Sequence, residues 1–138
     1  MVKRSLITAK IMMIEEFISR VREKLPKSFE EFEYDRDAQD LVLFNLIQAI
    51  QSCVDIAAHI VSDESLGYAG SMNEFFYLLQ QKHIISMELT EKLISSVGFR
   101  NVCVHGYLDL DFTIVYQAAS SGVSDLEAFI KAIVKKYL

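Results

Sequence analysis

Ile7, Ile11, Ile14, Ile18, Val21 and Leu25 recur at spacings of four and three residues, along one face of an amphipathic helix. Pro26 marks its end, because proline lacks the backbone donor that the next helical turn needs. Ser28 to Glu31 has the Ser-x-x-Glu form of a capping box and predicts a short helical turn. Asp35 then caps a long second helix reaching about Ser62. Two neighbouring stripes of that helix are apolar: Val42, Leu46, Ala49, Cys53, Ile56 and Ile60, and Leu43, Ile47, Ile50, Val54, Ala57 and Val61. A face so broad suits a central helix packed on more than one neighbour. Gly67 and Gly70 punctuate the next loop, and Ser71 to Glu74 repeats the capping-box form before a third helix, Met72 to about Lys82. Ser86 caps a fourth helix through Leu89, Leu93 and Val97, whose later course Gly98 disturbs. Phe112, Tyr116, Ala119, Val123, Leu126, Ile130, Ile133 and Tyr137 share one heptad-spaced face. Their phase continues across Ser120-Ser121-Gly122, so one long, bent fifth helix is expected. No run alternates as a strand does and no segment repeats, which predicts an all-α fold: one domain over residues 1–138, an antiparallel helical bundle of four to five helices.

Composition fits this picture. The chain has 138 residues, 51% hydrophobic, with Pro26 the single proline, enough to fill one core and unlike a disordered chain. No stretch approaches the roughly 20 apolar residues of a membrane-spanning helix. Lys3 and Arg4 precede an apolar stretch, but Lys10, Glu15 and Glu16 interrupt it, so it reads as the first helix and not as a signal peptide. Cys53 and Cys103 are the only cysteines, which excludes a disulfide framework or a four-cysteine zinc site within one chain and makes a reduced, cytoplasmic setting the default. The net charge of −5 opposes nonspecific binding of nucleic acid. The charge is uneven, however: residues 1–27 carry seven Lys or Arg against three Glu. That segment is either a solvated helix face or a patch that attracts phosphate.

Residues 99–107 read Phe-Arg-Asn-Val-Cys-Val-His-Gly-Tyr. Arg100 can hold a phosphate through two or more directed hydrogen bonds. His105 is of the one residue type that readily donates or accepts a proton near neutral pH. Together they suit transesterification of RNA, in which a 2′-hydroxyl attacks the neighbouring phosphate; that reaction calls for no metal or other cofactor. Arg and His five positions apart are by themselves a weak signal, since at about 100° per residue they point well apart on a straight helix. Gly106 predicts that the helix ends near His105, which would release this constraint.

The segment resembles the R-x4-H-x-Y motif of HepT-like toxins in the HEPN superfamily, here Arg100, His105 and Tyr107, with Asn101 after the arginine. The resemblance extends to Arg36-Asp37, Phe44-Asn45-Leu46, Ala49-Ile50-Gln51, Asp55-Ile56-Ala57 and Asp125-Leu126. It implies a metal-independent endoribonuclease working as a homodimer, in which two R-x4-H segments line a shared cleft. Arg100 and His105 would be catalytic, with Asn101 and Asp55 in support. The resemblance further implies the toxin half of a two-gene system, whose partner, a minimal nucleotidyltransferase antitoxin, modifies Tyr107 with AMP. One departure lies in a loop: the glycine-proline turn often found before the third helix reads Gly67-Tyr68-Ala69-Gly70.

Other residues stay open. Asn45, Gln48, Ser52, Asp55 and His59 form a polar stripe on the second helix, which is either its solvent face or the border of a dimer cleft. Asp55 and His59, one turn apart, are placed to form a salt bridge, and no third ligand is spaced to make them a metal site. The apolar breadth of the second helix offers area for a two-fold contact. His83 falls in a loop and carries no assignment, and Cys103 reads as a small packing group before a nucleophile. By chemistry alone Tyr107 is an aromatic packed at a helix end. The competing function is a catalytically silent HEPN module that binds nucleotide or a partner protein.

Overall fold

The computed structural model describes Val2–Leu138, including every side chain in that span except that of Tyr107. The helices are α1 (Arg4–Lys24), α2 (Phe29–Glu33), α3 (Arg36–Asp63), α4 (Met72–Gln81), α5 (Met87–His105), α6 (Phe112–Gln117) and α7 (Val123–Tyr137). A 3-10 turn, Tyr107–Asp109, follows α5, and a π-helical turn, Ala118–Gly122, joins α6 to α7. No strand occurs among the described residues. The all-α bundle is as expected, with α6, the π turn and α7 forming the fifth long rod and α2 a single short turn.

Local chemistry explains most of the boundaries. Ser28 Oγ accepts from Glu31 N at 3.2 Å, Asp35 Oδ1 from Ala38 N at 3.0 Å, and Ser86 Oγ from Leu89 N at 3.1 Å, each meeting a backbone donor that has no partner within its helix. The second capping box forms differently from expectation. Ser71 makes no side-chain cap, and Glu74 instead accepts from the backbone N–H of Gly70. At the far ends of α3 and α4, Ser65 (φ 51°) and His83 (φ 60°) adopt the left-handed conformation. Leu66 N then reaches Val61 O and Ile84 N reaches Leu79 O, both at 3.0 Å, which closes a Schellman turn at each end without glycine. His83 therefore has a backbone role.

α3 is the central helix and packs against α1, α2, α4, α5 and α7. All the residues of its two apolar stripes are buried except Ile47, which is half-buried. The breadth expected to serve a dimer contact is thus consumed inside the chain, leaving Leu41 and Phe44 as its exposed large apolar residues. Contrary to the sequence expectation that no stretch approaches a membrane span, α3 matches one by length and apolarity alone, with a mean hydropathy of 1.6, but 61% of that window is buried within the bundle. A core helix explains both values.

α1 buries Ile7, Ile11, Ile14, Ile18 and Val21, as its period predicts, against α3. Its two ends fix its direction relative to α7. Arg4 Nη2 donates to Leu138 O at 3.1 Å, and Arg22 forms two bonds to Glu127, at 2.6 and 2.9 Å, so the two helices run antiparallel. In the fifth rod the π turn inserts an extra residue and rotates the helix that follows. Ser120 and Ser121 donate to Tyr116 O and Gln117 O at 2.8 and 2.9 Å, supplying partners to carbonyls there. The buried residues of this rod are Val115, Ala119, Val123, Leu126, Phe129 and Ile133, so the heptad pattern misses Val115 and Phe129. Phe129 packs edge-on against Phe76 of α4, with ring centroids 5.7 Å apart.

Candidate active site

The motif occupies the last turns of α5. Gly98 does not interrupt this helix. A glycine costs about 1 kcal/mol in a helix interior, and the burial of Leu93, Val97 and Cys103 against neighbouring helices outweighs it. Gly106 ends the helix, its N–H donating to Val102 O at 2.7 Å. A β-carbon at Gly106 would lie 3.1 Å from that same carbonyl, so the close turn favours glycine.

His105 remains helical, so unwinding does not bring it to Arg100 as the sequence suggests. The two stay about 140° apart around the axis. They are united by a cleft of about 350 Å³ between the end of α5 and the start of α4, lined by Ser71, Met72, Asn73, Arg100, Asn101 and His105, with Val97. Val97, Asn101 and His105 form a ladder at four-residue spacing, and the long arginine reaches in from beside it.

Within the cleft, Arg100 Nη1 donates to Asn101 Oδ1 at 3.0 Å, which holds the guanidinium from one side. Arg100 Nε is buried without a hydrogen-bond partner, and so is Asn73 Oδ1. Asn101 and His105 are exposed. The group therefore offers a half-buried cation with an unused directed donor beside an accessible imidazole, a combination suited to gripping an anion and moving a proton. Nothing in the sequence marked Asn73; only the docking of α4 on α5 brings it here.

Asp55 lies elsewhere. It accepts from Lys10 Nζ at 3.3 Å and from Gln51 Nε2 at 3.0 Å, tying α3 to α1. Lys10, from a different helix, takes the place expected for His59. His59 Nε2 sits 3.4 Å from Asp63 Oδ2 instead. The polar stripe is not a solvent face either: Asn45 and Ser52 are buried, and Gln48, Asp55 and His59 are half-buried. In the basic first segment, Lys10, Arg20, Arg22 and Lys24 each face a carboxylate of the chain, which offsets part of its charge.

Cys103 is buried, and burial pushes its thiol up to about 11, so it stays protonated at neutral pH and packs as a small apolar group. The side chain of Tyr107 lies outside the described residues; its backbone opens the 3-10 turn after Gly106. Around the motif, Val102 (62%), Val104 (46%) and Leu108 (95%) are exposed, leaving apolar surface beside the cleft. A second groove of about 300 Å³, by the π turn, includes Ser96 and Ser121 in its lining, and both hydroxyls already donate to carbonyls of their own helices.

Residues 14–133 match the family model described as "Ribonuclease HepT-like". The chain belongs to the ribonuclease HepT-like family. It is similar to a protein of Shewanella oneidensis named mRNA nuclease HepT, 34% identical over 93% of this chain and 96% of that one. It is also similar to a tRNA nuclease HepT of Aphanizomenon flos-aquae, 32% identical over 86% of this chain and 83% of the relative. Among solved structures it matches a tri-AMPylated Shewanella oneidensis HEPN toxin in complex with an MNT antitoxin. The TM-score there is 0.90 at 33% identity, over 97% of this chain and all of that one.

Proposed function

We propose that this chain is a metal-independent endoribonuclease, the toxin half of a HEPN and nucleotidyltransferase pair, acting in the cytoplasm as a two-fold homodimer. The observation that carries the reading is the cleft that gathers Arg100, Asn101 and His105, with a guanidinium that keeps an unused donor and an accessible histidine in its lining. In this mechanism the 2′-oxygen bonds to the adjacent phosphorus and the bond to the 5′-oxygen breaks. The products are a 2′,3′-cyclic phosphate and a 5′-hydroxyl. Arg100 stabilises the charge that builds on the phosphorane oxygens, and Asn101 holds Arg100 in place. His105 transfers a proton.

The reaction needs one proton removed from the 2′-hydroxyl and one delivered to the 5′-oxygen, and each chain brings one histidine to its cleft. A second copy supplies the other. The exposed Val102, Val104 and Leu108 provide apolar area beside the motif for such a contact, a role the core stripes of α3 cannot fill. The test is a ribonuclease assay on purified protein in EDTA, with its mass fixed by light scattering at micromolar concentration. RNA cleavage by a species of twice the chain mass is expected. No cleavage by folded protein would instead favour the silent, partner-binding module, and a monomer that cleaves would sink the shared cleft.

The partner in this reading is a minimal nucleotidyltransferase that adenylylates Tyr107. It rests on the tri-AMPylated state and MNT complex of the solved relative and on the place of Tyr107, two residues beyond His105. The added phosphate would occupy the anion position of Arg100 and repel the RNA backbone, so inhibition needs no change of fold. Tyr107→Phe is expected to stay an active ribonuclease while escaping both AMP and neutralisation on coexpression with the partner. Full neutralisation of Tyr107→Phe, or adenylate found by mass spectrometry only on other residues, would remove the switch.

A further inference from the structure

We propose that Asn73 is a specificity-determining residue of this cleft, its side-chain amide reading the edge of a nucleobase next to the phosphate held by Arg100. The inference rests on the ribonuclease reading and extends it to α4. Two buried polar atoms lack partners in one cleft: Asn73 Oδ1, an acceptor, and Arg100 Nε, a donor. Buried polar groups are paired in the great majority of cases, so two orphans on residues that line one cleft point to a ligand that completes both. The ligand must present an acceptor to the arginine and a donor to the asparagine. A phosphate oxygen meets the first need.

The second need selects between the two kinds of donor on a ribonucleotide. The 2′-hydroxyl gives up its proton during the reaction and belongs beside the imidazole of His105. The donor left for Asn73 is a nucleobase N–H. A primary amide carries an acceptor and a donor side by side, the geometry with which asparagine pairs to a base edge. Asn73 stands near the start of α4, across the cleft from α5, so the base would lie on the α4 side and the scissile phosphate on the α5 side.

The test compares wild type with Asn73→Ala in cleavage of a randomised single-stranded RNA pool, with cut positions mapped by sequencing. Wild type is expected to favour one base beside the cut. Asn73→Ala should flatten that preference and lower kcat/KM on the favoured sequence about tenfold. An unchanged cut-site profile at unchanged rate overturns the proposal. Anisotropy with a fluorescein-labelled, 2′-O-methylated RNA of the same pool separates this outcome from failure of the ribonuclease reading. If wild type binds but does not cleave, the ribonuclease reading fails by itself. The contact with Asn73 then stands if Asn73→Ala weakens binding and falls if affinity is unchanged. Asn73→Asp, which the first turn of a helix favours, keeps the comparison open should the alanine variant not fold. Its carboxylate would turn to Arg100 and is expected to weaken RNA binding further, and wild-type affinity in that variant also overturns the proposal.

Discussion

A folded His105→Ala protein loses RNA cleavage by on the order of 10²–10⁴-fold, the usual cost of removing a positioned proton-transfer group. His105 is exposed at the end of α5, so its truncation opens no core cavity and the melting temperature should stay close to that of wild type. Arg100→Ala is expected to fall by a comparable factor for a different reason: the phosphorane loses its directed donor. Arg100→Lys should recover little, since an ammonium group offers neither the planar fork nor the Nε donor that the cleft leaves unused. Cys103 gives no alternative nucleophile, because its buried thiol is held protonated. Near-wild-type cleavage by folded His105→Ala would end the mechanism, whatever the behaviour of Arg100.

Phe129→Ala is expected to cost about 3–5 kcal/mol, as emptying a fully buried aromatic site does. The ring is 0% exposed and meets Phe76 edge-on at an interplanar angle of 85°. Domains of this kind are stable by only about 5–15 kcal/mol, so the variant should unfold at a much lower urea concentration. Because Phe76 belongs to α4, the same loss loosens the element that carries Asn73 and closes one wall of the cleft. Phe76→Ala combined with Phe129→Ala should therefore cost less than the sum of the two single variants. A loss below about 1 kcal/mol for Phe129→Ala would show that the pair does not anchor α4.

Much of the bundle is legible in the sequence alone. The stripe Ile7 to Val21, the caps Ser28, Asp35 and Ser86, and the breadth of α3 are all properties of residues within one or two turns of each other. Periodicity and capping are local, so the chain states them directly. The grouping of Arg100, Asn101 and His105 was legible for a related reason: the segment is contiguous, and all three line one cleft.

What only the tertiary structure decided concerns contacts between helices. Asp55 has both Lys10 and His59 within plausible reach by sequence, and the packing of α1 on α3 awards it to Lys10. Phe129 sits off the heptad stripe but shares a face of α7 with Leu126 and Ile133, and it enters the core because Phe76 of α4 packs on that face. Arg100 and His105 diverge around their own helix, and it is the start of α4, packed on α3 and α5, that closes one cleft around both. Asn73 joins them for the same reason. Helix formation depends on neighbours along the chain, but which helix faces fill one another depends on how rods of given shape can pack, and that is set by the whole core at once.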